Sequence, residues 1–185
     1  NAQFELGMWY KQGRGGLEGS LEAIRLIGMA AEQGHASAQF MLGKSYYFGE
    51  GVRKDHHEAV RWYHKAAEQG HTGAQYRLGL AHNLGRGVPQ DIREAIKWYS
   101  KAAEQGQASA QFRLGASYEL GRGVPQDIQE AIKWYRKAAE LGDDDAQYSL
   151  GKMYDAGNSV SQDHREAVKW YRKAAKQGDA DAQYV

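Results

Sequence analysis

The sequence predicts an all-α fold of five helical hairpins, each 36 residues long, followed by the start of a sixth. Three observations carry this. The chain aligns with itself at a constant step of 36 without insertion or deletion, which means that one supersecondary unit is repeated. Within one unit, Ala38, Leu42 and Tyr46 recur at i, i+4 and i+8, and Ala59, Tyr63, Ala66 and Ala67 at i, i+4, i+7 and i+8. That is the spacing of two amphipathic helices. A glycine-rich joint separates them, and a closing glycine such as Gly70 follows the second.

The expected repeats are 2–37, 38–73, 74–109, 110–145 and 146–181, with 182–185 opening a sixth and the whole chain forming one repeat domain. Ala2, Ala38, Ala74, Ala110, Ala146 and Ala182 head the copies, each followed by Gln. A Leu column (Leu6 to Leu150) and a Gly column (Gly7 to Gly151) come next, and Trp62, Trp98, Trp134 and Trp170 mark the second helix. Repeats three and four match at 25 of 36 positions, which excludes chance and points to duplication.

The joint LGRGVPQD occurs unchanged at Leu84 to Asp91 and Leu120 to Asp127. A dinucleotide-type phosphate loop needs a strand before it and a third glycine where the helix begins; here a helix precedes and a proline stands at the close approach. The joint is therefore structural. Glycines at 49 and 51 and their equivalents end the first helix, and Pro89 or Pro125 fixes the chain direction before the second. Asp55, Asp91, Asp127 and Asp163 each precede a Glu by three residues, the capping-box spacing. His71, Asp143 and Asp179 are placed to cap the following first helix.

Composition bounds the function. Twenty-four basic and 23 acidic residues give a net charge of +1, which supplies no general field for nucleic acid or anionic lipid. No apolar run reaches the roughly 18 residues that span a bilayer, so membrane insertion is not expected. With no cysteine, disulfides, thiolate nucleophiles and Cys-bound zinc are excluded, while the compartment is left open. The opening NAQFELG has neither an initiator Met nor a signal-like apolar region, and the native N-terminus is expected to lie further upstream.

The spacing L-G-x-x-Y then A-x-x-x-Y at Leu42, Gly43, Tyr46, Ala59 and Tyr63 resembles the tetratricopeptide pattern, with Gln39 where that family favours Trp. The period is two residues longer, the excess lying in the joint. With EAxxWYxKAAEQG, the unit resembles the Sel-one-like repeat over nearly the whole chain. The resemblance implies a right-handed α/α superhelical solenoid that binds proteins or organises complexes, in many bacterial settings. It is silent on the partner.

The first repeat departs from the pattern. Leu26 and Ile27 replace Trp-Tyr, Gly16 replaces Val, and Gly19 stands where the capping Asp is expected. Trp9 occupies a column that is Ser45, Ala81, Ser117 and Met153 elsewhere. A size swap, with bulk moved from the second helix to the first, would account for it.

With Leu42 at the centre of the buried stripe, positions 37, 40, 41, 44, 47 and 48 fall on the opposite face of the first helix. Hairpin solenoids present that helix to the concave side. The predicted groove therefore comprises Phe40, Lys44, Tyr47 and Phe48; Tyr76, Leu80, Asn83 and Leu84; Phe112, Ala116, Glu119 and Leu120; and Tyr148, Lys152, Asp155 and Ala156. Tyr47 and Leu84 are expected outside the hairpin's own core. The aromatic column Phe40, Tyr76, Phe112 and Tyr148 either meets a ligand or packs between repeats. Acidic character near Asp145 and Asp155 suits the basic end of a peptide.

The second helix carries a basic stripe, Arg61, Lys97, Lys133 and Lys169, with Lys65, Lys101, Lys137 and Lys173 one turn on. Flanking glutamates make it a self-compensated solvated surface rather than a nucleic-acid contact. An enzyme is the rival class, because some relatives of the resembled repeat are connected with penicillin binding. Ser149-Leu-Gly-Lys152 satisfies S-x-x-K, yet nine serines and twelve lysines make one match ordinary, and S-D-N and K-T-G elements are absent. His56-His57-Glu58 lacks the H-E-x-x-H spacing of a zinc site. The expected function is thus a non-enzymatic scaffold, without cofactor or metal, that holds a peptide or helix of a partner protein in its groove. A hydrolase or penicillin-binding-type enzyme is the alternative. Uncovered apolar ends make end-to-end self-association a further expectation.

Overall fold

The computed structural model describes residues 2–12, 16–157 and 160–176. Among them there is no strand, and ten helices follow in order: α1 Ala2–Lys11, α2 Gly16–Glu32, α3 Ala36–Phe48, α4 His56–Glu68, α5 Thr72–Leu84, α6 Ile92–Glu104, α7 Ala108–Leu120, α8 Ile128–Glu140, α9 Asp144–Ala156 and α10 His164–Lys176. They form two compact units, Asn1–Trp98 and Tyr99–Val185, whose boundary falls inside α6. Asp179 and the opening of the sixth repeat lie outside the described residues.

Three hairpins are clamped by a tyrosine against a glycine, and in the first Ile27 stands against Gly7. Tyr63, Tyr99 and Tyr135 are almost fully buried, and a Cβ on Gly43 would stand 2.7 Å from the Tyr63 ring. The glycine column in the first helices is therefore a groove for the ring of the second. Gly115 against Tyr135 and Gly151 against Tyr171 repeat the contact.

In the first unit, one core gathers Ile27, Ala30, Ala31, Ala38, Leu42 and Trp62, and another Ala59, Val60, Tyr63, Leu78, Ala81 and Trp98. In the second, Ile132, Tyr135, Leu150, Met153 and Trp170 cluster. Every Trp named sits with small or flexible first-helix residues. Trp9 does not follow the expected size swap: it is 44% exposed and lies edge-on to Tyr10, while Leu26 and Ile27 are buried.

Between consecutive repeats, a buried Gln ties the first helix to the helix before it. The side-chain Nε2 of Gln39, Gln75, Gln111 and Gln147 donates to the carbonyls of Ala31, Ala67, Ala103 and Ala139 at 3.1, 3.3, 3.0 and 3.0 Å. Those carbonyls stand in the last turn of a helix, where intrahelical donors run out. This explains the residue that follows the heading Ala of the second to fifth repeats.

The joints are half as expected. The side chains of Asp55, Asp91, Asp127 and Asp163 accept from the N–H of Glu58, Glu94, Glu130 and Glu166 at 3.1, 3.0, 3.0 and 3.0 Å. The reciprocal half of the box is replaced. Each Asp N–H donates instead to the carbonyl of Tyr46, His82, Tyr118 or Tyr154 in the preceding first helix, and the freed Glu pairs with a basic residue one turn on. His71 and Asp143 cap α5 and α9 as expected, through Ala74 N at 3.3 Å and Ala146 N at 3.0 Å, and His35 caps α3 the same way. Gly19 is no cap column, because α2 starts at Gly16 and runs 17 residues. With no Asp to fix the start, that helix winds on four residues earlier than its equivalents.

Candidate protein-binding face

The outward side of the first helices is only partly free. Phe40, Tyr76, Phe112 and Tyr148 are half-buried, and three of them lean on the clamping tyrosine of their own hairpin: Phe40 on Tyr63 at 5.9 Å, Phe112 on Tyr135 at 5.5 Å, Tyr148 on Tyr171 at 5.7 Å between centroids. Phe40 also stacks on His71, the cap residue of α5, at 4.5 Å. One turn on, Lys44, Leu80 and Ala116 are half-buried and Lys152 exposed, whereas Phe48, Leu84 and Leu120 are 49, 50 and 58% exposed.

The column Tyr47, Asn83, Glu119 and Asp155 is the chemically variable one. Tyr135 donates its hydroxyl to Glu119 Oε2 at 2.6 Å; burial pushes this phenol above its ordinary value, and the Glu119 bond adds to the shift. His164 Nδ1 lies 2.8 Å from Asp155 Oδ1, so that carboxylate is already engaged. Tyr47 is not outside the core as expected. It packs against the core of the first unit, lies 4.9 Å from both Phe48 and His56, and accepts from Arg86 at 2.7 Å.

In the second unit, α7 and α9 enclose a cleft of about 480 Å³ lined by Glu119, Leu120, Gln126, Ile128, Tyr148, Ser149, Lys152, Met153 and Ala156. Five residues of the predicted groove's α7 and α9 sets, Glu119, Leu120, Tyr148, Lys152 and Ala156, meet there. Asp155 is not among the lining residues, and Phe112 is turned to Tyr135. In the first unit, Tyr47, Leu80, Ala81, Arg77 and Arg86 leave a space of only about 10 Å³. Two columns bring in larger side chains: Arg77 and Tyr47 correspond to Ser149 and Glu119, and Arg86 lines the smaller space as well.

Sequence reasoning missed Ser149, Gln126, Met153, Arg77 and Arg86. Position 41 of the same column did fall on the outward face, and its change from Met41 to Arg77 to Ser149 was the available signal. The S-x-x-K pair is otherwise committed. Ser149 Oγ donates to the Asp145 carbonyl at 2.8 Å, and Lys152 Nζ lies 5.8 Å from the Tyr148 ring centroid.

On the second helices, Lys65, Lys137 and Lys173 lie 4.3, 4.1 and 4.1 Å over Trp62, Trp134 and Trp170. The stripe they share with Arg61, Lys133 and Lys169 is thus occupied by rings and carboxylates of its own helix. Asp143, Asp144 and Asp145 cluster closely enough to hold a cation, but Asp143 is spent on its cap and burial raises its carboxyl above the usual range.

The Sel1 repeat model matches five times, over residues 1–35, 36–71, 72–107, 108–143 and 144–179. A protective antigen of uropathogenic Escherichia coli strains, displaying an SLR fold, is similar at TM-score 0.94 and 42% identity, over 98% of this chain and 39% of the antigen. A Sel1 repeat protein from Oxalobacter formigenes is similar at TM-score 0.89 and 38% identity, over 97% of this chain and 74% of that one. For cysteine-rich protein B of Helicobacter pylori the values are 0.56 and 30%, over 73% and 97%. No curated protein matches in sequence.

Proposed function

Because the chain belongs to the Sel1 repeat family, whose members are generally non-enzymatic protein-interaction scaffolds, we propose that it holds a segment of a partner protein on the outward face of its first helices. The cleft between α7 and α9 carries this reading. At about 480 Å³ it lies within the range of roughly 300–1,000 Å³ typical of ligand sites. Leu120 and the Tyr148 ring offer an apolar floor, and Glu119 and Lys152 offer one charge of each sign. An apolar anchor side chain with a flanking polar or charged neighbour fits that lining.

Leu120→Ala tests it with little risk to the fold, since Leu120 is largely exposed. Partner captured from a lysate of the source cells should bind the variant about 2 kcal/mol more weakly, as for a true anchor. Lys133→Gln, on the opposite helix, should leave affinity unchanged. Undiminished capture by both Leu120→Ala and Tyr148→Ala would remove the cleft from consideration.

A further inference from the structure

Two cations of the first unit differ from those on the second helices. Arg61, Lys97, Lys133 and Lys169 are each paired with a glutamate of their own helix. Arg77 lies 6.0 Å from the Tyr47 ring and 5.9 Å from the Phe48 ring, and Arg86 donates to the Tyr47 hydroxyl. Among the described residues neither meets a carboxylate. A guanidinium held by a π face or a neutral hydroxyl keeps its charge available.

Backbone geometry sets Arg86 in place. Gly87 has φ 76°, and a Cβ there would lie 2.2 Å from the His56 carbonyl oxygen, so the joint lies flat on the first turn of α4 with Arg86 over Tyr47. The field of the site is already felt locally: burial first, then Lys54 and Arg86, hold the His56 imidazole below its ordinary value. Phe48, touching Tyr47, and Leu84, one turn beyond Leu80 on α5, are both half exposed.

We propose that Arg77 and Arg86 form an anion-binding subsite for the aspartate or glutamate side chains of an acidic, amphipathic segment of a partner protein, whose apolar residues rest on Phe48 and Leu84. Planar guanidiniums take carboxylates in paired hydrogen bonds, and both are held in place before the partner arrives, which lowers the entropic cost of binding. A nucleic acid would need a longer row of unpaired cations along its phosphates; the second-helix stripe does not offer one. The subsite rests on the protein-binding role proposed above but uses residues of the first unit only.

The test is fluorescence anisotropy with a short labelled Glu/Leu peptide, the same peptide with Gln for Glu, and a single-stranded RNA oligonucleotide. The Glu peptide should bind about tenfold more tightly than the Gln peptide, and Arg77→Gln or Arg86→Gln should remove that advantage. Lys97→Gln and Lys133→Gln should leave it intact. If Arg77→Gln lowers thermal stability, the exposed Arg86→Gln decides, with Arg86→Lys expected to retain part of the binding. Equal affinity for the two peptides, loss on Lys97→Gln, or tighter binding of the RNA would overturn the subsite. Undiminished partner capture by both Leu120→Ala and Tyr148→Ala would instead strike the cleft alone.

Discussion

Arg86 donates to the hydroxyl of Tyr47, 39 residues earlier, at 2.7 Å. Lys11 and Glu50, the equivalent pair one repeat back, meet at 3.1 Å over the same separation. In these two joints the third position thus reaches the last turn of the preceding repeat's first helix, whatever the chemistry of the pair. Tyr47→Phe, which keeps the ring and loses the acceptor, should cost about 1 kcal/mol or less. Tyr47→Ala, which also empties a half-buried position, should cost about 2–3 kcal/mol in urea unfolding. Equal effects of the two would mean that the ring contributes nothing.

Two helical glycines should respond oppositely to the same change. At Gly28, inside α2, an added methyl would have nothing within 4 Å, and Gly28→Ala should stabilise by up to about 1 kcal/mol through helix propensity alone. At Gly43 the methyl would enter the Tyr63 ring, and Gly43→Ala should destabilise by about 1–3 kcal/mol. Thermal melting of the pair checks the sign. A stabilised Gly43→Ala would show that the clamp is slack.

The buried Gln column is expected to be intolerant of apolar replacement despite its surroundings. Gln111→Leu removes one of two donors to Ala103 O, the Gly106 N–H remaining at 3.0 Å, a loss of about 1 kcal/mol. A variant as stable as the parent in denaturant titration would show that the Gly106 N–H alone satisfies that carbonyl.

His71 caps α5 by accepting at Nδ1 from Ala74 N, which requires the neutral ring. Burial lowers its pKa from the ordinary 6.5. The sign follows: a His held neutral in the folded state contributes stability that is whole above the unfolded value, and that is lost as pH falls from about 6.5 through the lowered folded value. His71→Asn, which can cap without titrating, should flatten this part of the stability-versus-pH curve. An unchanged slope between pH 7 and 5 would place the titration elsewhere.

The repeat, its two helices and its caps were legible because they depend on local periods and on side chains acting within three or four residues. Asp55, Asp127 and Asp163 accept the expected N–H groups, and Leu42, Leu78 and Leu150 are buried where the period puts them. The capping box failed in its second half for a reason no local rule contains: the Asp N–H was taken by a carbonyl in another helix.

The sequence by itself determined which stripe of α3, α5, α7 and α9 is buried, since 100° per residue settles that without neighbours, whereas Leu6 of α1, in the same column, is 46% exposed. Tertiary structure alone decided how much of the opposite face is open. Arg77 and Ser149 stand in one column, yet the guanidinium folds over Tyr47 and closes its site while the serine turns back to its own helix and leaves a cleft. Side-chain length and the partners within reach fix that outcome, and a partner such as Tyr47 arrives from the neighbouring repeat, about one repeat length away in the chain.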